Sequence, residues 1–356
     1  MQTTRSTVRD DILRAVGDAV WAPSVHNTQP WRFGVAGTRI SLRADPDRRL
    51  DVADPDGREM LISCGAALYT LRLSLRALGY APVVTVLPDP ARPHLLADVD
   101  LETGEPADRQ TLLAHAQIAR RRSHRGGFLA DPVPPEVVAA MRYDAGHEGA
   151  RLIEAVDPHV TNALAALTDA AEHVQRRSPA YAAEIARWAP SPRTSRQDGV
   201  QERAYPRTVP QTTPDFPARD FARGHGWGVR SAPEADAPGV VLLLVTGADT
   251  PADWLRAGQA LQRVLLRATE SGLSVALHSQ AFEVPELREF IRARFCAGGH
   301  PQLLLRLGVA GAEALGTVRP AGRGGRHRGV VTPMGTKVPS GPPAASSRVR
   351  SGGGRS

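Results

Sequence analysis

The chain has 356 residues, of which 42% are hydrophobic and 23% charged, the composition of an ordinary globular protein with room for one large domain or two smaller ones. It holds no run of about 18 consecutive apolar residues, which excludes a membrane-spanning helix of the usual length. The polar N-terminal stretch lacks the apolar core of a secretion signal. We therefore expect a cytoplasmic protein that does not bind membranes.

The net charge of +7 is concentrated at the C-terminus. Eight of the 44 basic residues and no acidic residue lie in 317–356, which leaves 36 basic against 37 acidic side chains in 1–316. The body of the chain is thus nearly neutral, which disfavours nucleic-acid binding, a function suggested only by the basic tail. Because Gly, Pro, Ser and Arg dominate residues 317–356, we predict that this tail is disordered.

The cysteine content argues against a zinc site. Cys64 and Cys296 are the only cysteines, and neither belongs to a Cys-x-x-Cys pair or lies near clustered histidines. In a reducing compartment two free, buried thiols are favoured, although the sequence leaves a disulfide between them open.

In chain order, the first unit alternates helices with pairs of strands. Apolar residues at helical spacing predict a helix over 8–21, and alternating residues around a glycine turn predict a hairpin over 31–43. A long apolar run predicts a buried helix over 58–78. Strands are predicted at 82–87 and 94–101.

The second unit is richer in helices. Its predicted helices are 108–119, a helix opening at Pro134, 162–175, 180–188, 249–269 and 285–295. Its predicted strands are 151–156, 239–246, 273–277 and 302–307. Residues 189–233 hold seven prolines and show no stable period, which is typical of a lid or a disordered insert.

Two short runs carry the chemistry of the chain. APSVHNTQPW at 22–31 offers a polar rim and a flat aromatic wall, and RRRSHR at 120–125 surrounds a serine with arginines. A phosphate is best held by permanently charged, bidentate donors together with hydroxyl groups, and the second run supplies both. Together the runs indicate a phosphorylated, planar cofactor. The alternatives are a turn stabilised by its own side chains and a solvated basic helix end.

These runs, with the segments around them, resemble the nitroreductase superfamily of FMN enzymes, and most closely its long, single-chain Acg-type branch. The matching segments are APS through WRF at 22–33, DPDGR at 54–58 with ISCGAAL at 62–68, RRSHR at 121–125 with Phe128, and WLRAGQAL at 254–261 through PQLLLRLG at 301–308. The resemblance therefore covers nearly the whole body of the chain.

The resemblance implies an α+β, nitroreductase-like fold. Two related helix-flanked halves with antiparallel or mixed sheets, residues 1–106 and 107–316, are expected to form an intramolecular pseudo-dimer, with residues 189–233 as a lid. Each motif occurs once, the loop in the first half and the clamp in the second. A single complete site is therefore expected.

The resemblance also implies the residues of that site. The expected cofactor contacts are Pro23, Ser24, Val25, His26, Asn27 and Gln29 in the loop, Arg121, Arg122, Ser123 and Arg125 in the phosphate clamp, and Ser279 and Gln280 near flavin N5 and O4. Arg319 is expected to replace an arginine of the family's C-terminal segment, from which this chain departs after residue 316. His124 is expected to face solvent, and no metal is expected.

The implied function is an FMN-dependent NAD(P)H oxidoreductase that reduces small electrophiles, such as nitroaromatics or quinones, by ping-pong hydride transfer. No catalytic side chain is required, because flavin N5 accepts the hydride directly. The alternative is a protein that holds FMN under the lid with little or no turnover. The expected partner is a small-molecule electron acceptor, with no nucleic acid, and the chain is expected to be a monomeric pseudo-dimer or a homodimer.

Overall fold

The computed structural model describes residues 7–207, 211–229 and 236–311, together with the backbone of Thr332–Pro333. Its α-helices are α1 (Val8–Ala19), α2 (Arg58–Ala77), α3 (Arg109–Ala116), α4 (Pro135–His147), α5 (Pro158–Arg176), α6 (Pro179–Trp188), α7 (Pro251–Glu270) and α8 (Pro285–Phe295). Its strands are β1 (Trp31–Ala36), β2 (Arg39–Ala44), β3 (Tyr80–Val86), β4 (Leu95–Thr103), β5 (Ser123–His124), β6 (Ala150–Glu154), β7 (Val240–Thr246), β8 (Ser274–His278), β9 (His300–Gly308) and β10 (Thr332–Pro333). All but β5 and β10 lie within a few residues of their predicted positions.

Two sheets give the α+β fold that the sequence predicts. In the described residues the first sheet has the order β10-β1-β2-β4-β3, and the second has the order β5-β8-β9-β7-β6. The pairs are antiparallel except β1 with β10 and β5 with β8, which are parallel. The two-residue strand β5 thus places the start of the clamp beside β8.

Helices cover both sheets with apolar side chains. Helices α1 and α2 pack on the first sheet around buried side chains such as Phe33 and Leu68. Helices α4 and α7 cover one face of the second sheet, around Leu244 and Leu305, and α5 and α8 cover its other face. None of the helices in the described parts of the chain combines the length and the apolar character needed to cross a membrane.

Helices α2 and α7 cross at a pair of glycines. A Cβ added to Gly65 would overlap the carbonyl oxygen of Leu255 and lie 3.0 Å from Gly258 Cα. A Cβ added to Gly258 would in turn overlap the carbonyl oxygen of Ile62 and lie 2.8 Å from Gly65 Cα. The contact is reciprocal, since each glycine meets the other glycine and the residue three positions before that other glycine. Only a residue without a side chain permits two helix backbones to come this close.

The start of α2 is fixed by the turn before it. Gly57 has the left-handed φ of 74° that ends the turn. The Asp54 carboxylate then accepts hydrogen bonds from the backbone N–H groups of Glu59 and Met60, at 3.0 and 2.8 Å. These bonds satisfy two N–H groups that have no partner within the helix, and they hold Glu59 in a defined position.

Residues 189–207 and 211–229, here called the cover segment, have little regular structure but are well packed. Within the described part, a single 3-10 turn, Glu202–Ala204, is the only helix or strand. Buried side chains of the segment, including Tyr205 and Phe221, pack against Trp188 of α6 and against Leu50. The segment therefore needs no helical or strand periodicity of apolar residues, because contacts of its aromatic side chains hold it in place.

The C-terminal tail lies almost wholly outside the described residues. The exception is the backbone of Thr332–Pro333, which pairs with Gly34 and Val35 of β1. Arg319, the expected stand-in for the family's arginine, lies outside the described residues, as does most of the tail predicted to be disordered.

We expect Gly258→Ala to lower the free energy of unfolding by about 1–3 kcal/mol or more, because the added methyl meets the backbone of α2 and forces the helices apart. Gly17→Ala in α1 is the matched control. Nothing lies within 4 Å of its added Cβ, so better helix propensity should raise stability by about 0.5–1 kcal/mol. Chemical denaturation measures both changes, and a Gly258→Ala protein as stable as the wild type would contradict the close crossing.

Candidate functional site

A cavity of about 910 Å³, its open mouth included, joins segments that are distant in sequence. Its walls come from the loop at 23–26, the first turns of α2, strand β5, the end of β8 and the cover segment. The residues predicted for the site that line this cavity are Pro23, Ser24, Val25, His26, Ser123, Arg125, Ser279 and Gln280. The loop before β1, helix α2 and strands of the second sheet therefore contribute to one cavity.

The loop of the first motif is shaped by its own hydrogen bonds. Ser24 Oγ accepts a hydrogen bond from Gln29 N at 3.0 Å, and Val25 N donates to Ser63 Oγ of α2 at 3.1 Å. Between them His26 has a left-handed φ of 46°, a conformation that non-glycine residues seldom adopt. The loop thus turns sharply over α2, with residues 23–26 on the cavity wall.

Asn27 and Gln29 are not brought to the cavity. Both have left-handed φ values, 54° and 53°, so the chain turns away from the cavity after His26. Asn27 Nδ2 donates to Gly199 O at 2.8 Å, and Gln29 Nε2 donates to Gln197 O at 3.1 Å. These two amides hold the cover segment and do not line the cavity. The sequence had led us to expect both as cofactor contacts.

In the second motif, Arg125 is the arginine that lines the cavity. Its guanidinium donates to the carbonyl oxygen of Ala204 at 3.0 Å and lies over the ring of Phe221. Within the described part of the chain it forms no ion pair with a carboxylate. Burial lowers the pKa of Arg125 to about 10, so it remains a cation at neutral pH. A partly buried cation that has no carboxylate partner favours an anionic ligand.

Arg121 and Arg122 do not line the cavity. Arg121 lies behind Ser123, donating to Ser123 Oγ at 3.3 Å and to Trp21 O at 3.2 Å, so it joins the clamp to the first half. Arg122 donates to the carbonyl oxygens of Ala119 and Arg121 and lies over the Trp21 ring. The three predicted clamp arginines therefore differ in position, because the chain changes direction at β5.

His124 is buried, and the expectation that it faces solvent is wrong. Its Nε2 bonds to Gly127 O at 2.8 Å, which makes Nδ1 the acceptor nitrogen, and Nδ1 is buried without a partner in the described structure. Burial lowers the pKa of His124 to about 4. Short strand β5 carries its side chain into the cavity wall, a placement that an isolated motif does not indicate.

Two further histidines line the cavity, His26 and His278. Burial, with the charges of Arg219 and Arg125, lowers the pKa of His26 well below its ordinary value. Burial, with Arg306 and Arg219, does the same for His278. All three cavity imidazoles are therefore neutral at pH 7.

The end of β8 binds the cover segment. Gln280 Nε2 donates to Pro217 O at 3.0 Å. Ser279 Oγ accepts from Arg219 at 2.9 Å and donates to Glu283 at 2.7 Å, and Arg219 and Glu283 form a buried ion pair. Ser279 and Gln280 thus line the cavity while they also hold the segment that covers it.

Arg306 is a functional candidate that the sequence analysis missed. This fully buried arginine of β9 donates to His278 Nε2 at 2.9 Å and lies between the rings of Phe128 and Phe216. It also donates to Pro238 O at 3.0 Å and to Gly126 O at 3.2 Å. Through Gly126 and the Phe216 ring it links β8 to the chain after the clamp and to the cover segment. The available signal was a single arginine in an otherwise aliphatic strand, LLLRL at 303–307.

Glu59 and Arg219 are charged residues of the cavity wall that the motifs also do not reveal. Glu59 pairs with Arg58 at 2.9 Å. Burial, followed by the nearby Glu283, raises the pKa of Glu59 well above its ordinary value, and burial raises that of Asp54 to about 6. Nothing in the local sequence distinguishes these residues from ordinary surface charges, since their burial arises from the packing of the cover segment.

The described residues contain no cluster of His, Cys, Asp and Glu side chains suited to a metal ion. Cys64 and Cys296 are both free and buried, so the disulfide alternative does not apply. Cys64 Sγ contacts Pro30 O at 3.2 Å, and burial raises the pKa of this thiol. It therefore remains protonated and inert.

We expect His124 to make the fold less stable in acid. Its folded-state pKa, about 4, lies below the unfolded value, so the unfolded state binds more protons and stability falls as the pH decreases through 6.5. Between pH 7.5 and pH 5 the wild type should lose about 2 kcal/mol more than His124→Gln, as measured by denaturation at each pH. A stability difference between the two proteins that does not change with pH would contradict this.

Comparison with protein-family models gives no match. Among curated proteins, the chain is 37% identical over 302 residues to a Mycobacterium tuberculosis protein named "Putative NAD(P)H nitroreductase", with 83% of this chain and 84% of that one covered. It is 30% identical over 301 residues to "Putative NAD(P)H nitroreductase acg" of the same organism, with 85% and 89% covered. Among solved structures, one described as "a putative nitroreductase" from Anabaena variabilis matches 85% of this chain and 74% of that chain, with 12% identity and a TM-score of 0.40.

The two mycobacterial relatives cover most of this chain and most of their own length. Similarity of that extent confirms the resemblance drawn from the motifs. On this evidence the chain belongs to the NAD(P)H nitroreductase family.

Proposed function

We propose that the protein is an FMN-dependent NAD(P)H oxidoreductase that reduces small electrophiles such as nitroaromatics or quinones. The observation that carries the proposal is the convergence of the loop at 23–26 and the clamp at 123–125 on one cavity whose wall holds a partly buried cation, Arg125. The names of the two mycobacterial relatives support the use of NAD(P)H.

The residues present fit FMN. Arg125 and Ser123 offer a charged donor and a hydroxyl to a phosphate. Ile62, Leu277 and Leu303 supply apolar wall against which a planar ring packs. Polar atoms on the wall that lack protein partners, such as His124 Nδ1 and Gln280 Oε1, are buried and available to a polar ligand.

In this proposal the chain's own residues bind and orient, and they exclude water. Arg125 and Ser123 anchor the anionic end of the cofactor, while the loop at 23–25 and the apolar wall hold its ring. The cover segment, through Phe221 and Arg219, shields the reacting centre from bulk solvent. FMN held there would supply two-electron hydride chemistry between NAD(P)H and the acceptor.

We also infer that the chain is a pseudo-dimer with one site. The reciprocal contact of Gly65 and Gly258 has the form of a two-fold interface, in which residue i meets j and j meets i. Both glycines are the eighth residue of a 20-residue helix. A fused pair of related halves accounts for this geometry within one polypeptide.

A second candidate, flavin storage with little turnover, is favoured by the cover segment. Phe221 and Arg219 of this segment form part of the cavity wall, and the ion pair of Arg219 with Glu283 is buried. The carbonyl oxygen of Ala204 holds Arg125 from the same segment. A segment attached this firmly would limit access to a bound flavin.

We expect Arg125→Met to weaken FMN binding by about 10- to 100-fold, because a charge-assisted hydrogen bond to the phosphate is lost. Arg122→Met is the matched control, since Arg122 lies outside the cavity wall, and its dissociation constant should stay within about threefold of the wild-type value. Fluorescence titration of the flavin-free protein with FMN measures both. Equal weakening by the two substitutions would contradict the assignment of Arg125 as the anion anchor.

Anaerobic mixing of the FMN-loaded protein with NADPH separates turnover from storage. An oxidoreductase should lose its flavin absorbance rapidly and regain it when a quinone is added. A storage protein should remain oxidised.

The double variant Arg219→Met with Glu283→Gln removes the buried ion pair without leaving an unpaired charge. If the cover segment limits access, this variant should be reduced faster than the wild type; an unchanged rate would contradict that role.

A further inference from the structure

His26 is set apart from the other cavity histidines by its hydrogen bonding. His124 and His278 each have one ring nitrogen bonded to a protein group. His26 is buried, yet neither Nδ1 nor Nε2 has a hydrogen-bond partner in the described structure. Leaving two buried polar atoms unsatisfied costs free energy, and a native protein seldom does so without a function for the group.

The backbone of His26 adds a second cost. Its φ of 46° and ψ of 23° lie in the left-handed region, which disfavours a residue with this side chain. This conformation places the imidazole on the cavity wall, where Phe221 packs against it. A strained, buried and unsatisfied side chain at a cavity is the pattern of a group arranged for a ligand.

The surroundings of His26 determine what it can do. Its ring meets Phe221 of the cover segment edge to face, with ring centroids 5.5 Å apart. The nearby charges, Arg219 and Arg125, are both positive. The imidazole is therefore neutral, with one N–H to donate, and the positive surroundings favour a partner whose oxygen gains negative charge.

We propose that His26 donates a hydrogen bond to the oxygen of the small electrophile reduced in this cavity. The protein would therefore prefer acceptors that carry such an oxygen, such as nitro compounds and quinones, over acceptors that do not bind in the cavity. This rests on the proposed oxidoreductase function. As the acceptor receives the hydride, negative charge develops on its oxygen, and a donor fixed at that position stabilises the transition state. The same donor does not stabilise the transition state for an acceptor that takes electrons without binding in the cavity.

The overall reaction balances without a proton from His26. A quinone, NADPH and one proton from solvent give the hydroquinone and NADP⁺: the C–H bond of the dihydronicotinamide breaks, and its hydride is carried to the quinone. The second oxygen-bound hydrogen comes from solvent. The N–H bond of His26 remains intact throughout, so His26 is a hydrogen-bond donor and not an acid.

The test compares two acceptors in two variants. His26→Phe keeps an aromatic edge beside Phe221 but removes both nitrogens. His26→Asn keeps an N–H donor and readily adopts the left-handed conformation. Each protein is assayed with NADPH and either a benzoquinone or ferricyanide, an outer-sphere electron acceptor, and FMN content and thermal unfolding are recorded for each.

For His26→Phe we expect FMN content and ferricyanide reduction to stay within about twofold of the wild type, while kcat/KM for the quinone falls roughly tenfold or more. His26→Asn should recover most of the quinone activity. Equal loss with both acceptors, or no loss with the quinone, would overturn the proposal. So would loss of FMN from His26→Phe or His26→Asn, because it would assign His26 to the cofactor.

A failure of the proposed function gives a different result. Wild-type protein that holds FMN but reduces neither acceptor would overturn the oxidoreductase activity, and the role of His26 with it. If His26→Phe does not fold, His26→Gly decides the question, because glycine suits the left-handed backbone and also removes both nitrogens: quinone reduction should fall more than ferricyanide reduction, and equal effects on both would reject the proposal.

Discussion

The close crossing of α2 and α7 is the constraint on which the rest of the structure depends. Gly65 and Gly258 let the two helix backbones meet, and this contact joins the half that holds the loop motif to the half that holds the clamp. Ile62 and Leu261, which lie three residues from these glycines, both line the cavity. The spacing of the helices therefore sets the width of the site.

Burial of charge is the second feature that defines this cavity. Arg306 is a buried cation and Arg125 a partly buried one, and Arg58 with Glu59 and Arg219 with Glu283 are buried ion pairs. Such groups seldom stabilise a fold more than apolar residues of the same size would. Their presence around a single cavity, together with neutral imidazoles, indicates that this region was arranged for binding at some expense of stability.

The cover segment connects these features. Amides that the motif suggested as cofactor contacts, Asn27 and Gln29, hold it by bonds to residues 197–199, and Ser279 and Gln280 hold its other portion. Access to the cavity therefore depends on the same residues that shape its wall.

The sequence alone determined the order and the type of the elements, because periodicity, prolines and glycine turns are local properties. It also determined the two motifs and, through them, the family. Tertiary structure decided which motif residues face the cavity: Arg125 lines it whereas Arg122 does not, and His124 is buried. It also revealed Glu59, Arg219 and Arg306. These outcomes depend on packing between segments far apart in the chain, and no local pattern encodes which side chain will lose its contact with water.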